Sequence, residues 1–268
     1  MLIEKKSFDI HGYLSEQAKE FEDLIYSRHK IIFDHAYELN AIAQRVKHSF
    51  TANNQDGQQT VSVSVYTKIM NSFQAVLILA RKGLRADSEI LVRVMLEALF
   101  ILKLLCTDEA FHREYINRDS LIRRKLINAA KKNDNEIFEA TRKLATEDFM
   151  EELEAEIQKS GVKEETVEAL ARRAGMSDLY DSVYRLASEP CHVGIRSLTD
   201  FVKADAEGNI TEFNPGPFFD VDTEIVTATN FMIAAIEFVR KLFKIEEVKE
   251  LDALVNRIME HRKQEVKP

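Results

Sequence analysis

The sequence predicts an all-α protein, a multi-helix bundle around one buried central helix over residues 84–106. Three observations carry this prediction. The stretch 84–106 is apolar almost all the way round, which is typical of a helix buried on every side. Elsewhere, apolar residues recur at helical spacing. Eight glycines and four prolines in 268 residues are too few for a loop-rich or all-β protein.

Charged residues interrupt the central helix at a regular spacing. Glu89, Arg93 and Glu97 lie four residues apart, so they predict a polar stripe along one side of the helix. A charge in apolar surroundings costs several kcal/mol unless it is paired. We therefore expect these side chains to form a paired network, which is either a functional site or a structural cluster that fixes helix register.

The elements before the central helix follow from apolar spacing. Residues 13–50 predict one long helix or two joined near Ser27, and residues 61–82 predict the next helix. Between them, the polar stretch 51–60 contains Asn, Asp and Gly and predicts a mobile loop. Gly83 suits a helix C-terminus, so helix 61–82 and the central helix should form an antiparallel hairpin.

A basic helix and an acidic region follow the central helix. Residues 108–132 predict a helix that carries candidate phosphate-binding side chains, namely Arg118, Arg123, Arg124 and Lys125. Residues 134–174 predict an acidic insertion of two or three amphipathic helices. Residues 134–168 hold twelve acids and four bases, which indicates a solvated helical face. No linker divides two cores, so we expect a single domain over 1–268.

The C-terminal part completes the bundle. A short helix from residue 177 meets Pro190, where a helix cannot continue without a kink. Residues 201–213 contain a Glu-Gly-Asn turn between two alternating runs, which predicts a small β-hairpin. Two further helices, over 220–244 and 246–261, end the chain.

Bulk composition excludes several classes of protein. The net charge of -8 argues against a generic nucleic-acid binder, although a local basic patch remains compatible with it. Two cysteines provide no disulfide framework and suit a reducing compartment. The N-terminus lacks the apolar segment of a signal peptide, and no apolar run approaches the roughly 20 residues of a membrane span. We therefore expect a cytoplasmic protein without a membrane partner.

A second concentration of reactive side chains lies around Pro190. Arg185, Ser188, Glu189 and His192 fall where a helix breaks, so their side chains could converge. Ser188 and His192 could form a hydrogen bond, but a Ser–His hydrolase would need a third group and a nucleophile elbow. The alternative is a core histidine that is satisfied by Glu97 or by a partner of Arg93.

Metal chemistry is a third possibility. Two Glu-x-x-His units occur, Glu109/His112 and Glu189/His192, and di-iron bundles use two such units with two further carboxylates. The glutamate and histidine content yields about 0.8 such unit by chance, so two units carry little weight as metal ligands. We expect no metal and no cofactor.

The two polar segments together resemble a known type of protein. Arg93 and Glu97 inside an apolar helix, followed by Ser188 and His192, resemble an uncharacterised bacterial helical family of unknown function. More distantly, the chain is similar to the HEPN superfamily of helical bundles. HEPN ribonucleases carry Arg, four to six residues, then His, and Arg185 and His192 fit with six residues between them. The residue directly after the Arg is usually polar in active members and is Leu186 here.

This resemblance implies a function and an assembly. HEPN ribonucleases form helical dimers whose Arg/His pairs meet and cleave RNA without metal. Arg185 and His192 would then be catalytic, with His192 as acid or base and Arg185 stabilising the charge on phosphorus. Such a protein would belong to a bacterial toxin or phage-defence system. The alternative is a non-enzymatic helical module that binds a protein partner, in which the Arg/Glu/His network is structural.

Overall fold

Helix 85–107 lies at the centre of the computed structural model, which describes residues 7–51, 53, 55–192, 194–213, 216–246 and 248–265. Only the backbone of residues 189, 196, 264 and 265 is described. The helices in chain order are α1 (Ser7–His11), α2 (Ala18–Arg28), α3 (Lys30–Ser49), α4 (Gly57–Arg81), α5 (Arg85–Thr107), α6 (Phe111–Lys131), α7 (Glu139–Leu144), α8 (Glu147–Ser160), α9 (Val167–Arg173), α10 (Ser177–Leu179), α11 (Ser188–Cys191), α12 (Ile195–Leu198), α13 (Asp222–Leu242) and α14 (Lys249–Glu265). The predicted all-α class is confirmed.

Helix α5 is the buried central helix that the sequence predicts. Met95, Leu96, Leu99, Phe100 and Leu105 are completely buried, because α4 packs along one side of α5 and α13 along another. Helix α3 covers the outer faces of α4 and α13, and α14 packs on α3. The apolar surface that runs nearly round α5 is thus matched by neighbours on several sides, as expected for a helix of this composition.

The tight connection between α4 and α5 depends on Gly83. This residue has φ of +75°, and the amide of Leu84 donates to the carbonyl of Leu79 at 2.9 Å, as in a left-handed helix terminus. The carbonyl of Gly83 accepts from the amide of Phe218 at 3.0 Å. A Cβ atom on Gly83 would lie 2.8 Å from Cβ of Pro217, so this corner has no room for a side chain.

We expect Gly83→Ala to lower the free energy of unfolding by more than the ~1–2 kcal/mol of left-handed strain alone. Gly161→Ala is a matched control, since Gly161 has φ of +63° and open space around its missing Cβ. Urea denaturation of both variants measures the difference. Equal losses would show that the contact with Pro217 is unimportant.

The predicted loop 51–60 is too long at its C-terminal end. Helix α4 already begins at Gly57, because the carboxylate of Asp56 caps it by accepting from the amide of Gln59 at 3.0 Å. Residues 52 and 54 lie outside the described residues. The mobility of this segment stays a prediction.

Helix α4 is also an exception to the expectation about membrane spans. It is the one helix within the described ranges that is long and apolar enough to cross a bilayer. Half of its most apolar window is buried inside the protein. The core helix of a helical bundle can have the same length and apolar composition.

The acidic insertion packs on the basic helix α6. A small apolar cluster, separate from the main core, joins α6 to α8 and the turn after it. Its members are Leu121, Ile127, Leu153, Ile157 and Val162. Apolar contacts therefore hold the acidic helices on α6. The same helices carry the predicted solvated face.

The predicted β-hairpin is present. Strands β1 (Val202–Ala204) and β2 (Ile210–Phe213) pair antiparallel. The carboxylate of Asp205 accepts from the amide of Asn209 at 2.8 Å, and this side-chain bond stabilises the connecting turn. The hairpin lies at the surface, with β2 exposed along its length.

Candidate functional site

Arg93 is the centre of a polar cluster that joins α5 to the segment before Pro190. Its Nε donates to Oε1 of Glu97 at 3.2 Å, and its Nη2 donates to the hydroxyl of Tyr184 at 2.7 Å. Its Nη1 lies 3.4 Å from Nε2 of His192, a residue 99 positions later. The Arg93 guanidinium also lies over the Tyr184 ring, 4.6 Å from the centroid. We call Arg93, Glu97, Tyr184 and His192 the Arg93 cluster.

Local helix geometry places each member. Glu97 follows Arg93 by one helical turn, so the two side chains meet on one face of α5. Tyr184 ends a π-helical turn over Tyr180–Tyr184, and such turns, which widen the helix locally, are frequent at functional sites. The rings of Tyr180 and Tyr184 stack with centroids 4.8 Å apart. This stacking supports the orientation in which the Tyr184 hydroxyl reaches Arg93.

The chain break that brings His192 to Arg93 lies earlier than predicted. A turn at Ala187 precedes α11, and Pro190 lies inside that short helix, in its first turn, where proline is tolerated. The hydroxyl of Ser188 donates to the carbonyl of Tyr184 at 2.6 Å. The Ser188 hydroxyl therefore bonds to backbone at the break, and Ser188 meets His192 through the backbone, where the amide of His192 donates to the carbonyl of Ser188 at 3.3 Å.

The cluster is open to solvent at one end and closed at the other. His192 is exposed, whereas the Arg93 side chain is only 17% exposed. Burial acts to lower the pKa of Arg93, but hydrogen bonds to Tyr184 and Cys191 outweigh it and raise that pKa. Burial also raises the pKa of Tyr184. At neutral pH the cluster thus contains a charged guanidinium and a protonated phenol.

Arg185 is not part of this cluster. Its side chain is 62% exposed, its Nε donates to Oδ1 of Asp181 at 3.1 Å, and its guanidinium stacks on Tyr180. Among the described residues Arg185 pairs with Asp181 and not with His192, so its catalytic role stays a prediction. The arginine that faces His192 is Arg93.

Glu89, the first residue of the predicted stripe, has different surroundings from Arg93 and Glu97. It lines a cavity with Glu224 of α13, and burial raises its pKa, partly offset by the nearby Arg85. Among the described residues, Arg93 pairs with Glu97 and not with Glu89. The side chain of Glu189, also predicted for this network, lies outside the described residues.

The candidate phosphate-binding residues of α6 are neutralised by carboxylates. Each base forms an ion pair with an acid of the insertion, and these pairs are Arg118–Glu165, Arg123–Glu156, Arg124–Glu154 and Lys125–Glu164. Phosphate binding at these side chains would have to compete with these carboxylates. The sequence signal for this arrangement was the succession of a basic segment and an acidic one, which predicts mutual attraction as readily as two solvated faces.

In the part of the chain that the structure describes, no group of three or more His, Cys, Asp or Glu side chains is arranged to hold an ion. The ring of His112 lies with Nδ1 2.6 Å from the carbonyl oxygen of Glu109, so that predicted Glu-x-x-His unit makes a local backbone contact.

The comparison with protein families bears directly on this site. A model of the family of unknown function DUF5677 matches residues 59–210. The chain belongs to this family. The DUF5677 match contains the whole Arg93 cluster, from α5 to His192, and it ends before α13. The expected membership of an uncharacterised helical family is thus confirmed. No curated protein and no solved structure matches the chain.

Proposed function

We propose that this DUF5677 protein is a HEPN-like, metal-independent endoribonuclease whose reacting groups are Arg93 and His192. The observation that carries the proposal is the 3.4 Å separation of Arg93 Nη1 and His192 Nε2. A guanidinium and an imidazole at this distance can act on one phosphodiester. The exposed side of His192 is where a nucleic-acid strand would approach.

The chemistry assigns a role to each member of the cluster. A neutral His192 would remove the proton from a ribose 2′-hydroxyl, and the 2′-oxygen would then attack phosphorus and break the bond to the 5′-oxygen. Solvent would protonate the leaving 5′-oxygen, leaving a 2′,3′-cyclic phosphate. Arg93 would stabilise the added negative charge on the phosphoryl oxygens. Glu97 would act as a positioning residue, since it holds Nε of Arg93 while Nη2 is bonded to Tyr184 and Nη1 lies on the side of His192.

The proposed catalytic arginine is not the one that the HEPN spacing indicates. By that spacing Arg185 would act with His192, whereas it is Arg93 that has the contact this chemistry needs. Partly buried hydrogen bonds hold the Arg93 fork in one orientation, and preorganised donors stabilise developing charge best. The proposed system, a bacterial toxin or phage-defence protein acting in the cytoplasm, follows from the HEPN resemblance.

A second function is supported by a different observation. Leu186 and Ile195, on either side of His192 in sequence, are 66% and 79% exposed, and Leu198 and Phe201 are partly exposed nearby. Exposed apolar side chains close together favour a protein interface. A non-enzymatic interaction module would use this surface and keep the Arg93 cluster as a structural network. A homodimeric ribonuclease would use the same surface to join two copies.

We expect the purified chain to cleave a labelled single-stranded RNA in the presence of EDTA and to leave 2′,3′-cyclic phosphate ends. His192→Ala should slow cleavage by about 10²- to 10⁴-fold, the usual contribution of general acid–base catalysis. His48→Ala, at an exposed position of α3, is the matched control. RNA with 2′-O-methyl groups should resist. An inactive wild type would favour the interaction module, and a His192→Ala variant as active as wild type would overturn the role of His192.

A further inference from the structure

A cavity separate from the Arg93 cluster lies between α5, residues 183–187 and the start of α13. Its volume is about 150 Å³, which suits a small molecule. Its walls combine apolar side chains, two threonines and two carboxyls. They are Val92, Val183, Leu186, Ala187, Thr223, Thr227, Glu89 and Glu224.

Glu224 is the unusual member of this cavity. Its residue is only 8% exposed, and its Oε2 has no hydrogen-bond partner among the described residues. Burial raises the pKa of Glu224 to about 7. A buried polar atom without a partner costs free energy, and in folded proteins most such atoms have a partner in the protein, in water or in a bound molecule. The carboxyl therefore marks the place where a ligand atom would donate.

The charges around the cavity favour a positive ligand. Arg85 is the nearby cation that affects Glu224, and it is bonded to Asp200. Two acids have the opposite effect to Arg85. Glu89 on α5 and Asp222 on α13 both act to raise the pKa of Glu224. The local balance is thus negative once Glu224 ionises. A cationic donor would offset this charge and supply the missing hydrogen bond.

The remaining wall residues decide what kind of cation fits. A hard divalent ion takes six or more oxygen ligands, whereas this cavity offers two carboxyls and two hydroxyls between apolar walls. An organic cation with a short alkyl chain matches both parts, since its charged end would meet the carboxyls and its chain would lie on Val92, Val183 and Leu186.

We infer that this cavity binds a small aliphatic ammonium ion, whose N–H groups donate to Glu224 and Glu89 and whose alkyl chain packs on the apolar wall. This site is independent of RNA cleavage, because neither carboxyl belongs to the Arg93 cluster. Failure of one proposal therefore leaves the other intact.

Calorimetric titration of the full chain with n-butylammonium chloride at about pH 8 tests the inference, with n-butanol as the neutral comparison. We expect saturable binding of the ammonium ion and none of the alcohol. Glu224→Gln should weaken binding by about 10- to 100-fold, the cost of losing a charge-assisted hydrogen bond, and Glu89→Gln should weaken it less. The control is Glu237→Gln, which removes the same charge from α13 where Glu237 pairs with Arg240.

The pH dependence separates ligand binding from a structural effect. Butylammonium stays charged while Glu224 loses its proton, so wild-type affinity should rise between about pH 6 and about pH 8 and protons should be released on binding. Glu224→Gln should abolish both effects. Equal binding of butanol, unchanged binding by Glu224→Gln, or no saturable binding of methyl- through hexylammonium would each overturn the inference.

Discussion

Arg93→Met is expected to slow RNA cleavage by about 10²- to 10³-fold, as for the loss of one preorganised donor at a developing negative charge. The methionine can fill the space over the Tyr184 ring but cannot donate toward His192. Arg93→Lys should lose most of the activity as well, because a single ammonium cannot reach Glu97, Tyr184 and His192 together. Initial rates on a short labelled RNA, measured with each variant in excess, provide the comparison.

Arg185→Met is the matched control for this prediction. It removes the same kind of side chain from a surface pair with Asp181, and surface pairs contribute little to stability. We expect its cleavage rate to stay within a few-fold of wild type. The reverse result, an inactive Arg185→Met and an active Arg93→Met, would mean that Arg185 is the catalytic arginine and Arg93 is not. Thermal denaturation of each variant should accompany the assay, since a purely structural cluster would show stability loss without any activity to lose.

Glu224→Gln is expected to stabilise the protein at about pH 8 and to change little at about pH 4. The pKa of Glu224 is raised by burial from 4.5 to about 7, so the folded state holds this proton more tightly than the unfolded state. Wild-type stability from this group is therefore full below about 4.5 and is lost as pH rises to about 7. The difference between these two pKa values corresponds to about 3 kcal/mol of unfolding free energy. The glutamine variant does not lose this stability as the pH rises.

Urea denaturation of Glu224→Gln and wild type across this pH range measures the effect. The difference between the two proteins is the relevant quantity, because all other titrating groups are common to both. Glu237→Gln, which removes a glutamate from a partly buried ion pair on the same helix, is the control for the loss of one carboxyl from α13. A constant difference for Glu224→Gln would mean that its carboxyl ionises as freely in the folded protein as in the unfolded one.

Much of the fold could be predicted because it depends on local patterns. The apolar surface of 84–106 requires neighbours on all sides, and α4 and α13 provide them. Gly83 and the Glu-Gly-Asn turn specify tight connections by their backbone preferences. The start of α4 was placed too late because Asp56 caps the helix from within a stretch whose composition is typical of a loop.

The site could be predicted in part. Arg93 and Glu97 are visible as a stripe four residues apart, and Pro190 predicts a helix break before His192, although the break lies at Ala187. The role of Tyr184 is not visible, because the π-helical turn that directs its hydroxyl toward Arg93 leaves no clear signal in one sequence. Glu224 was missed for a related reason. Its burial depends on how α13 meets α5, and in sequence it is one acid in the first turn of a helix, where acids are common.

The packing of α13 on α5 has a consequence for the meaning of the family boundary. The DUF5677 match ends at residue 210, yet α13 covers much of α4 and α5 and supplies Glu224 to the cavity wall. Without α13, the apolar side of the central hairpin in the matched segment would face water, so the hydrophobic core extends beyond the family match.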